Sequence, residues 1–315
     1  MKNSKIAATI ALVLSATLTT ACATKSTENN QNASDKINVI AALYPLEFVA
    51  QEVGGDHINI SNLTPPNAEA HDLEISPAQG RRMSEADLVL FLPDLQPAVD
   101  DAITARNLEN TLNAADFIDL MSTETDEAEE HDDHEHAGED HDHGIYDPHF
   151  WLDPTQLSEY SQAVANELSK IDPTNQSEYQ ANAKALQTKL TELDAKFDST
   201  LKTCQQREFV TSHAAFNYLA QRYELTQVSI SGIDPDTEPS PAALKKVKEL
   251  IKEKNITTIF FESSSSKKVT DVLASDLGIK TASLNPLESL AKKDQNYFSV
   301  MESNLTSLQS GLQCQ

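Results

Sequence analysis

The sequence predicts an α/β fold of two lobes, each with a central, mostly parallel sheet, joined by one long rigid helix. Short apolar segments typical of buried strands alternate with helical segments in both halves of the chain, and such alternation produces parallel sheets. Between the halves, residues 173–203 keep a helical spacing of apolar side chains, with no Gly or Pro after the first residue. Open α/β sheets bind ligands at the carboxyl ends of their strands, so we expect a site in the cleft between the lobes.

Residues 37–172 form the predicted N-terminal lobe. Its strands are predicted at Ile37–Leu43, His57–Leu63 and Ala86–Leu92, and its helices at Tyr44–Val53 and from Pro77 onward. The second helix is predicted to begin after Ser76 because proline is well tolerated at the first helical position.

The linking helix is predicted over residues 173–203, and the C-terminal lobe over residues 204–315. The apolar stripe of the linking helix consists of Tyr179, Ala183, Leu186, Leu190, Leu193, Phe197 and Leu201. In the C-terminal lobe, strands are predicted at Glu208–Thr211, Leu225–Ile230, Thr257–Phe261 and Ile279–Ser283, and helices at Pro241–Lys254, Lys267–Leu277 and Asp294–Leu312.

The charge balance limits the kinds of partner. The chain has 24 Lys and Arg against 49 Asp and Glu, a formal net charge of −25. Proteins that bind nucleic acid or anionic lipid head groups contact the phosphates with basic side chains. The composition therefore argues against both partners and favours cations.

Residues 1–22 resemble an export signal. Lys2 and Lys5 precede an apolar run, Ile6–Leu18, which is too short to span a bilayer, and small residues follow it. Cleavage before Cys22 would give a lipid-anchored protein in the periplasm or cell envelope, with residues 23–36 as a flexible tether. Ordinary cleavage near Ala21 or Ala23 is the alternative.

Two further cysteines, Cys204 and Cys314, form an even pair in a chain with an export signal. Disulfides persist in oxidising compartments, so we expect these two residues to be bonded. Two buried thiols are the alternative.

Residues 122–143 have a composition unlike the rest of the chain. These 22 residues include 11 acids and five histidines and no Lys or Arg, which predicts a mobile loop. His-rich tracts commonly bind metal, so we expect weak metal sites here, with an acidic spacer as the alternative. The five histidines are His131, His134, His136, His141 and His143.

A metallohydrolase motif is not completed in this loop. His134, Glu135, His136 and Asp140-His141 approach the pattern H-x-H-x-D-H, but Gly138 stands where the aspartate is required. The helical zinc motif H-E-x-x-H does not occur in the sequence either.

Three of the remaining histidines lie in segments at the ends of predicted elements, where binding sites are built. His71 follows a strand, His149 lies in a Pro-rich segment beside the only Trp, and His213 follows the strand Glu208–Thr211. Three imidazoles favour Zn, Cu, Ni or Co over Mn and Ca. A zinc ion usually takes a fourth ligand, for which Glu69, Glu262, Asn285 and water are the candidates. His57 begins a strand and is expected at the surface.

Four segments resemble the metal-binding receptors of bacterial ABC importers for zinc and manganese, specifically the ZnuA-type zinc branch. They are Glu69–Glu74, Asp147–Pro154, Thr211–Phe216 and Phe260–Ser263, in the family's order. The resemblance implies His71, His149 and His213 as metal ligands, with His213 where manganese receptors tend to carry Glu. Many members have Asp at the position of Asn285, so Asn285, water or a nearby Glu is expected to complete the set, with Glu262 orienting a histidine.

The resemblance implies a function in which the protein captures zinc in the cell envelope and delivers it to an ABC-type permease. It implies a monomeric receptor rather than an enzyme, with membrane attachment only through a lipid anchor. The alternatives are a receptor for Mn or Ni, a zinc-dependent hydrolase with an open metal position, and a metal-buffering protein whose His-rich loop is the main site.

Overall fold

A computed structural model of the protein describes residues 36–122, 146–235, 237–262, 264–290, 292 and 294–315. The predicted export signal with Cys22, nearly all of the predicted tether and the five histidines of the His-rich loop lie outside these ranges.

The first sheet has four parallel strands in the order β2-β1-β3-β4. These strands are β1 (Ile37–Ala41), β2 (Ile58–Asn62), β3 (Leu88–Phe91) and β4 (Thr111–Asn113). The helices α1 (Tyr44–Gly54), α2 (Pro77–Glu85) and α3 (Pro97–Arg106) alternate with them. Ser76 caps α2 by accepting a hydrogen bond from the N–H of Gln79, so the predicted helix start at Pro77 is confirmed.

A short antiparallel pair, β5 (Met121–Ser122) and β6 (Tyr146–Asp147), follows this sheet. It leads into α4 (Pro154–Ile171), a helix that was not assigned from the sequence. Asp153 caps α4 through the N–H of Thr155, and Pro154 occupies its first turn.

The predicted long helix is confirmed as α5 (Gln176–Leu201), preceded by a 3₁₀ turn at Pro173–Asn175. It has 26 residues and is therefore about 39 Å long at 1.5 Å per residue. Its buried residues are the seven of the predicted apolar stripe.

The second sheet also has four parallel strands, in the order β10-β9-β7-β8. They are β7 (Glu208–Thr211), β8 (Thr226–Ser229), β9 (Thr258–Phe261) and β10 (Lys280–Ser283). The accompanying helices are α6 (Asn217–Arg222), α7 (Pro241–Glu253), α8 (Ser264–Leu277) and α9 (Tyr297–Gly311). Helix α9 begins three residues later than predicted because Asn296 and Ser299 form a capping box.

Helix α9 packs against the second sheet at one end and against α1 at the other. A Cβ on Gly311 would lie 2.5 Å from the ring of the buried Phe260, so glycine permits this approach. At the other end of α9, the Tyr297 ring stacks on Phe48 of α1 at 5.0 Å. The predicted disulfide between Cys204 and Cys314 is present and closes the C-terminus onto the end of α5. Among the described helices, none is long and apolar enough to cross a membrane.

Candidate metal centre

His71 lies in the loop between β2 and α2, and its side chain is buried. The buried amide of Gln96 supports this loop by donating to the Thr64 hydroxyl at 2.9 Å and to the Ala70 carbonyl at 3.1 Å. The Thr64 hydroxyl in turn donates to the Ala42 carbonyl, just after β1. The loop that carries His71 is therefore fixed to the first sheet.

His149 is buried just after β6, and its ring is oriented by Asp147. The Asp147 Oδ1 accepts hydrogen bonds from the backbone N–H of His149 at 2.9 Å and from its Nδ1 at 2.8 Å. Asn217 donates to the other carboxylate oxygen of Asp147 at 2.9 Å, and the Tyr218 hydroxyl donates to its carbonyl. When the ring is neutral and Nδ1 carries the hydrogen in this contact, the Nε2 atom of His149 presents a lone pair.

His213 follows β7 and is paired with Glu262, which follows β9. The Nδ1 atom of His213 lies 3.1 Å from Glu262 Oε2, an ion-pair distance without hydrogen-bond alignment. The backbone N–H of His213 donates to Oε1 of the same carboxylate, and the Ser212 hydroxyl donates to Oε2. Glu262 therefore lies on the far side of the ring from Nε2.

The three Nε2 atoms converge on one carboxylate, Glu288. Its Oε1 lies 3.9 Å from His71 Nε2, 3.3 Å from His149 Nε2 and 3.6 Å from His213 Nε2. All four side chains are buried, and one ligand atom from each lies within 4.8 Å of the others. The structure thus brings the three predicted histidines together, but the carboxylate among them is three residues beyond the candidate Asn285.

Asn285 is engaged within its own loop. Its Oδ1 accepts a hydrogen bond from the N–H of Leu287 at 2.7 Å, which forms an Asx turn. Leu287 takes a left-handed conformation, with φ of 63°. This turn leads the chain from the end of β10 to Glu288.

The loop of Glu288 also contacts two of the three segments that carry the histidines, those of His149 and His71. Trp151 donates through Nε1 to the Pro286 carbonyl at 2.7 Å, and the Ser289 hydroxyl donates to the Ala68 carbonyl at 3.0 Å. The Trp151 ring also packs against His149. The site is therefore assembled from both sheets.

The electrostatics of the site are those of a carboxylate among imidazoles. Burial alone would raise the pKa of Glu288, but its contacts with His149 and His213 hold the pKa well below its usual range. Burial would likewise lower the pKa of His213, but Glu262 and Glu288 raise it to about 10. The pKa of His149 is raised by Asp147 and Glu288 against its burial. Burial lowers the pKa of His71 to about 4, so this ring is neutral at pH 7.

Glu69 lies beside the site. Its Oε1 accepts from the N–H of Ala70 at 3.0 Å. Burial and the charge of Glu288 raise the pKa of Glu69 to about 8, because two neighbouring carboxylates resist ionising together.

Sequence reasoning missed Glu288, although a signal for it exists. Glu288 lies in the loop after β10, just as His213 lies after β7, and both loops are at the carboxyl ends of parallel strands. A carboxylate shortly after the predicted strand Ile279–Ser283 was therefore a candidate by the same rule that selected His213.

Two parallel-sheet lobes joined by a long helix, with three imidazoles and a carboxylate buried in the cleft, define a metal-binding receptor of the two-lobed class. A family model described as ZnuA, the periplasmic component A of the zinc-uptake complex, matches residues 39–311. The chain belongs to this family.

Curated relatives support the assignment. The high-affinity zinc uptake system protein ZnuA of Bacillus subtilis (strain 168) is 36% identical over 303 residues, which is 94% of each chain. The zinc-binding lipoprotein AdcA of Streptococcus pneumoniae (strain R6) is 35% identical over 288 residues, or 89% of this chain. The match spans 56% of AdcA, so this chain corresponds to about half the length of that relative.

Solved structures show the same fold. The zinc-bound ZnuA-like domain of S. pneumoniae AdcA has a TM-score of 0.73 and 32% identity, covering 88% of this chain and 99% of that domain. The AdcAII protein of S. pneumoniae has a TM-score of 0.76 and 30% identity, covering 89% of this chain and all of that one.

Proposed function

We propose that the protein captures zinc ions outside the cytoplasm and delivers them to the permease of an ABC-type zinc importer. The observation that carries this proposal is the convergence of three Nε2 atoms on Glu288 Oε1. His71, His149, His213 and Glu288 are then the zinc ligands, with Glu288 in the place for which Asn285 was a candidate.

The spacing of these atoms fits a tetrahedral zinc ion. Bonds of about 2.0–2.1 Å place neighbouring ligand atoms of a tetrahedron about 3.3 Å apart. The three distances to Glu288 Oε1 are 3.3, 3.6 and 3.9 Å, so small side-chain shifts would close the shell. Three imidazole nitrogens suit zinc better than manganese, which favours oxygen ligands.

Four protein donors also fit transport better than hydrolysis. A catalytic zinc site keeps one position open for water or substrate, whereas a site that fills all four positions holds the ion without activating water. In this arrangement Asp147 and Glu262 each contact the Nδ1 side of a ring whose Nε2 faces the ion. Such carboxylate contacts orient the ligand and make it more basic.

The relatives and the sequence support a place of action outside the cytoplasm. The family description is periplasmic, and AdcA is named a lipoprotein. Together with the predicted export signal at residues 1–22, these descriptions support action in the cell envelope, with Cys22 as the site of a lipid anchor. The permease is the partner that a zinc-uptake component requires.

Competition titration of the mature protein with a zinc chelator tests the proposal. The parent should bind one zinc ion tightly, and His71→Ala, His149→Ala and His213→Ala should each weaken binding by at least about tenfold. His57→Ala is the matched control, because His57 pairs with Glu178 and lies outside the metal centre. Equal zinc affinity in the parent and all three ligand variants would refute the site.

A further inference from the structure

A buried amide on helix α9 holds the loop that carries Glu288. Asn304 is 2% exposed and lies among apolar residues of α9. Its Oδ1 accepts a hydrogen bond from the N–H of Asn285 at 2.8 Å, and its Nδ2 donates to the carbonyl of Asn285 at 2.7 Å. One rigid amide therefore binds both backbone groups of a single loop residue, as a neighbouring strand would.

The path from this contact to the metal centre is short. Asn285 accepts from the N–H of Leu287 and so sets the turn, and Leu287 precedes Glu288. The Glu288 carbonyl then accepts from the N–H of Tyr44 at the start of α1. The backbone is thus held on both sides of the carboxylate that the three histidines share.

Helix α9 is a firm support for this contact. At its beginning, the Tyr297 hydroxyl donates to the Trp151 carbonyl at 2.7 Å, and beyond its end the disulfide ties Cys314 to Cys204. The pair of hydrogen bonds from Asn304 transfers this fixed position to the loop. An unsupported loop would have to be ordered by the ion itself, which lowers affinity.

From this geometry we infer that Asn304 is a positioning residue for zinc binding, acting through Asn285 to hold Glu288 in place. The inference rests on the proposed zinc site. Neither an apolar side chain nor a carboxylate can make both hydrogen bonds, because the contact needs one donor and one acceptor. Loss of a hydrogen-bonded support for a metal ligand typically costs 10- to 100-fold in affinity.

The test is a double-mutant cycle on zinc affinity in the full mature protein. Asn304→Leu and Asn304→Asp are each introduced into two backgrounds, the parent protein and the Glu288→Gln variant. In the parent background we expect each change to weaken zinc binding about 10- to 100-fold. In the Glu288→Gln background the same changes should cost less than about threefold, since the neutral amide that they then position contributes much less to zinc binding than the carboxylate does. If Asn304→Leu does not fold, Asn304→Asp carries the test.

Asn296→Ala is the matched control on the same helix. It removes the N-cap of α9, where Asn296 Oδ1 accepts from the N–H of Ser299, without touching the loop. It should lower the thermal midpoint and leave zinc affinity unchanged. The inference is overturned if both Asn304 variants bind like the parent, or if they weaken binding equally in the two backgrounds. Failure of the proposed function is distinct, since the parent would then bind no zinc or Glu288→Gln would have no effect.

Discussion

Replacing Glu288 by glutamine tests the centre of the proposed site. The substitution keeps the shape and one carbonyl oxygen but removes the charge from a buried group whose Oε1 lies within 3.9 Å of three imidazole nitrogens. Truncating one partner of a buried charge pair at a binding contact costs about 2–5 kcal/mol of binding free energy. Because the amide keeps an oxygen at the ligand position, we expect a loss in the lower half of this range, about two orders of magnitude in zinc affinity.

The same substitution should change the coupling between zinc and protons. The pKa of His213 is raised to about 10, partly by Glu288, so without metal this ring carries a proton at pH 7. Zinc binds only the neutral ring nitrogen, so binding expels the proton, and affinity falls as the pH falls. Glu288→Gln removes one cause of the raised pKa of His149 and of His213, so fewer protons should be released per zinc ion.

Isothermal titration calorimetry in two buffers of different ionisation enthalpy measures both the zinc affinity and the number of protons released per zinc ion. Asn285→Asp is the comparison variant. It keeps the oxygen that accepts a hydrogen bond from the N–H of Leu287, so zinc affinity should change less than about threefold. If residue 285 were a zinc ligand, a new carboxylate there would raise zinc affinity strongly. The reasoning fails if Glu288→Gln retains the parental affinity and proton release, or if Asn285→Asp produces the large increase.

Three further outcomes are expected. Asp147→Ala should weaken zinc binding about 10- to 100-fold, because the Nδ1 of His149 loses its hydrogen-bond partner. Competition titration with a chelator measures this, and an unchanged dissociation constant would count against the role of Asp147. Replacing Cys204 and Cys314 together by alanine should lower the free energy of unfolding by at most about 4–5 kcal/mol on the chain-entropy model. Urea denaturation measures this, and an unchanged urea midpoint would contradict it. Residues 123–143 can be deleted between the paired strands β5 and β6. In equilibrium dialysis the deletion should reduce the number of weakly bound zinc ions and leave the dissociation constant of the tight site unchanged. A large loss of affinity at the tight site would place a histidine of the deleted segment in the main site.

The sequence predicted the fold well where each signal was local. The strand Glu208–Thr211 and the seven buried residues of α5 appear as predicted, because alternation and helical spacing are set by neighbours along the chain. Helix α4 was not predicted, although Asp153 and Pro154 are residues typical of the N-cap and the first turn of a helix.

The candidate site was predicted less completely. The three histidines were selected because they follow elements in both lobes, and the structure brings them together. The position of the Glu288 carboxylate depends on a three-residue turn, in which the Asn285 side chain accepts a hydrogen bond from the N–H of Leu287. This turn directs Glu288 toward the histidines. Which of two neighbouring polar residues faces a cleft is decided by such tertiary contacts, here including Asn304 on a distant helix, and not by residue type or spacing.

The proposed ligands are spread along most of the chain, from His71 in the first sheet's loops to Glu288 after the last strand of the second. An unfolded chain cannot present these four groups together, so the tight zinc site exists in the native state alone. A ligand of such a site adds RT ln(1 + [L]/Kd) to stability, about 2.7 kcal/mol at one hundred times Kd. The receptor should therefore resist unfolding and proteolysis when zinc is plentiful and lose that protection when zinc is scarce. Its thermal midpoint becomes a measure of the free zinc around it.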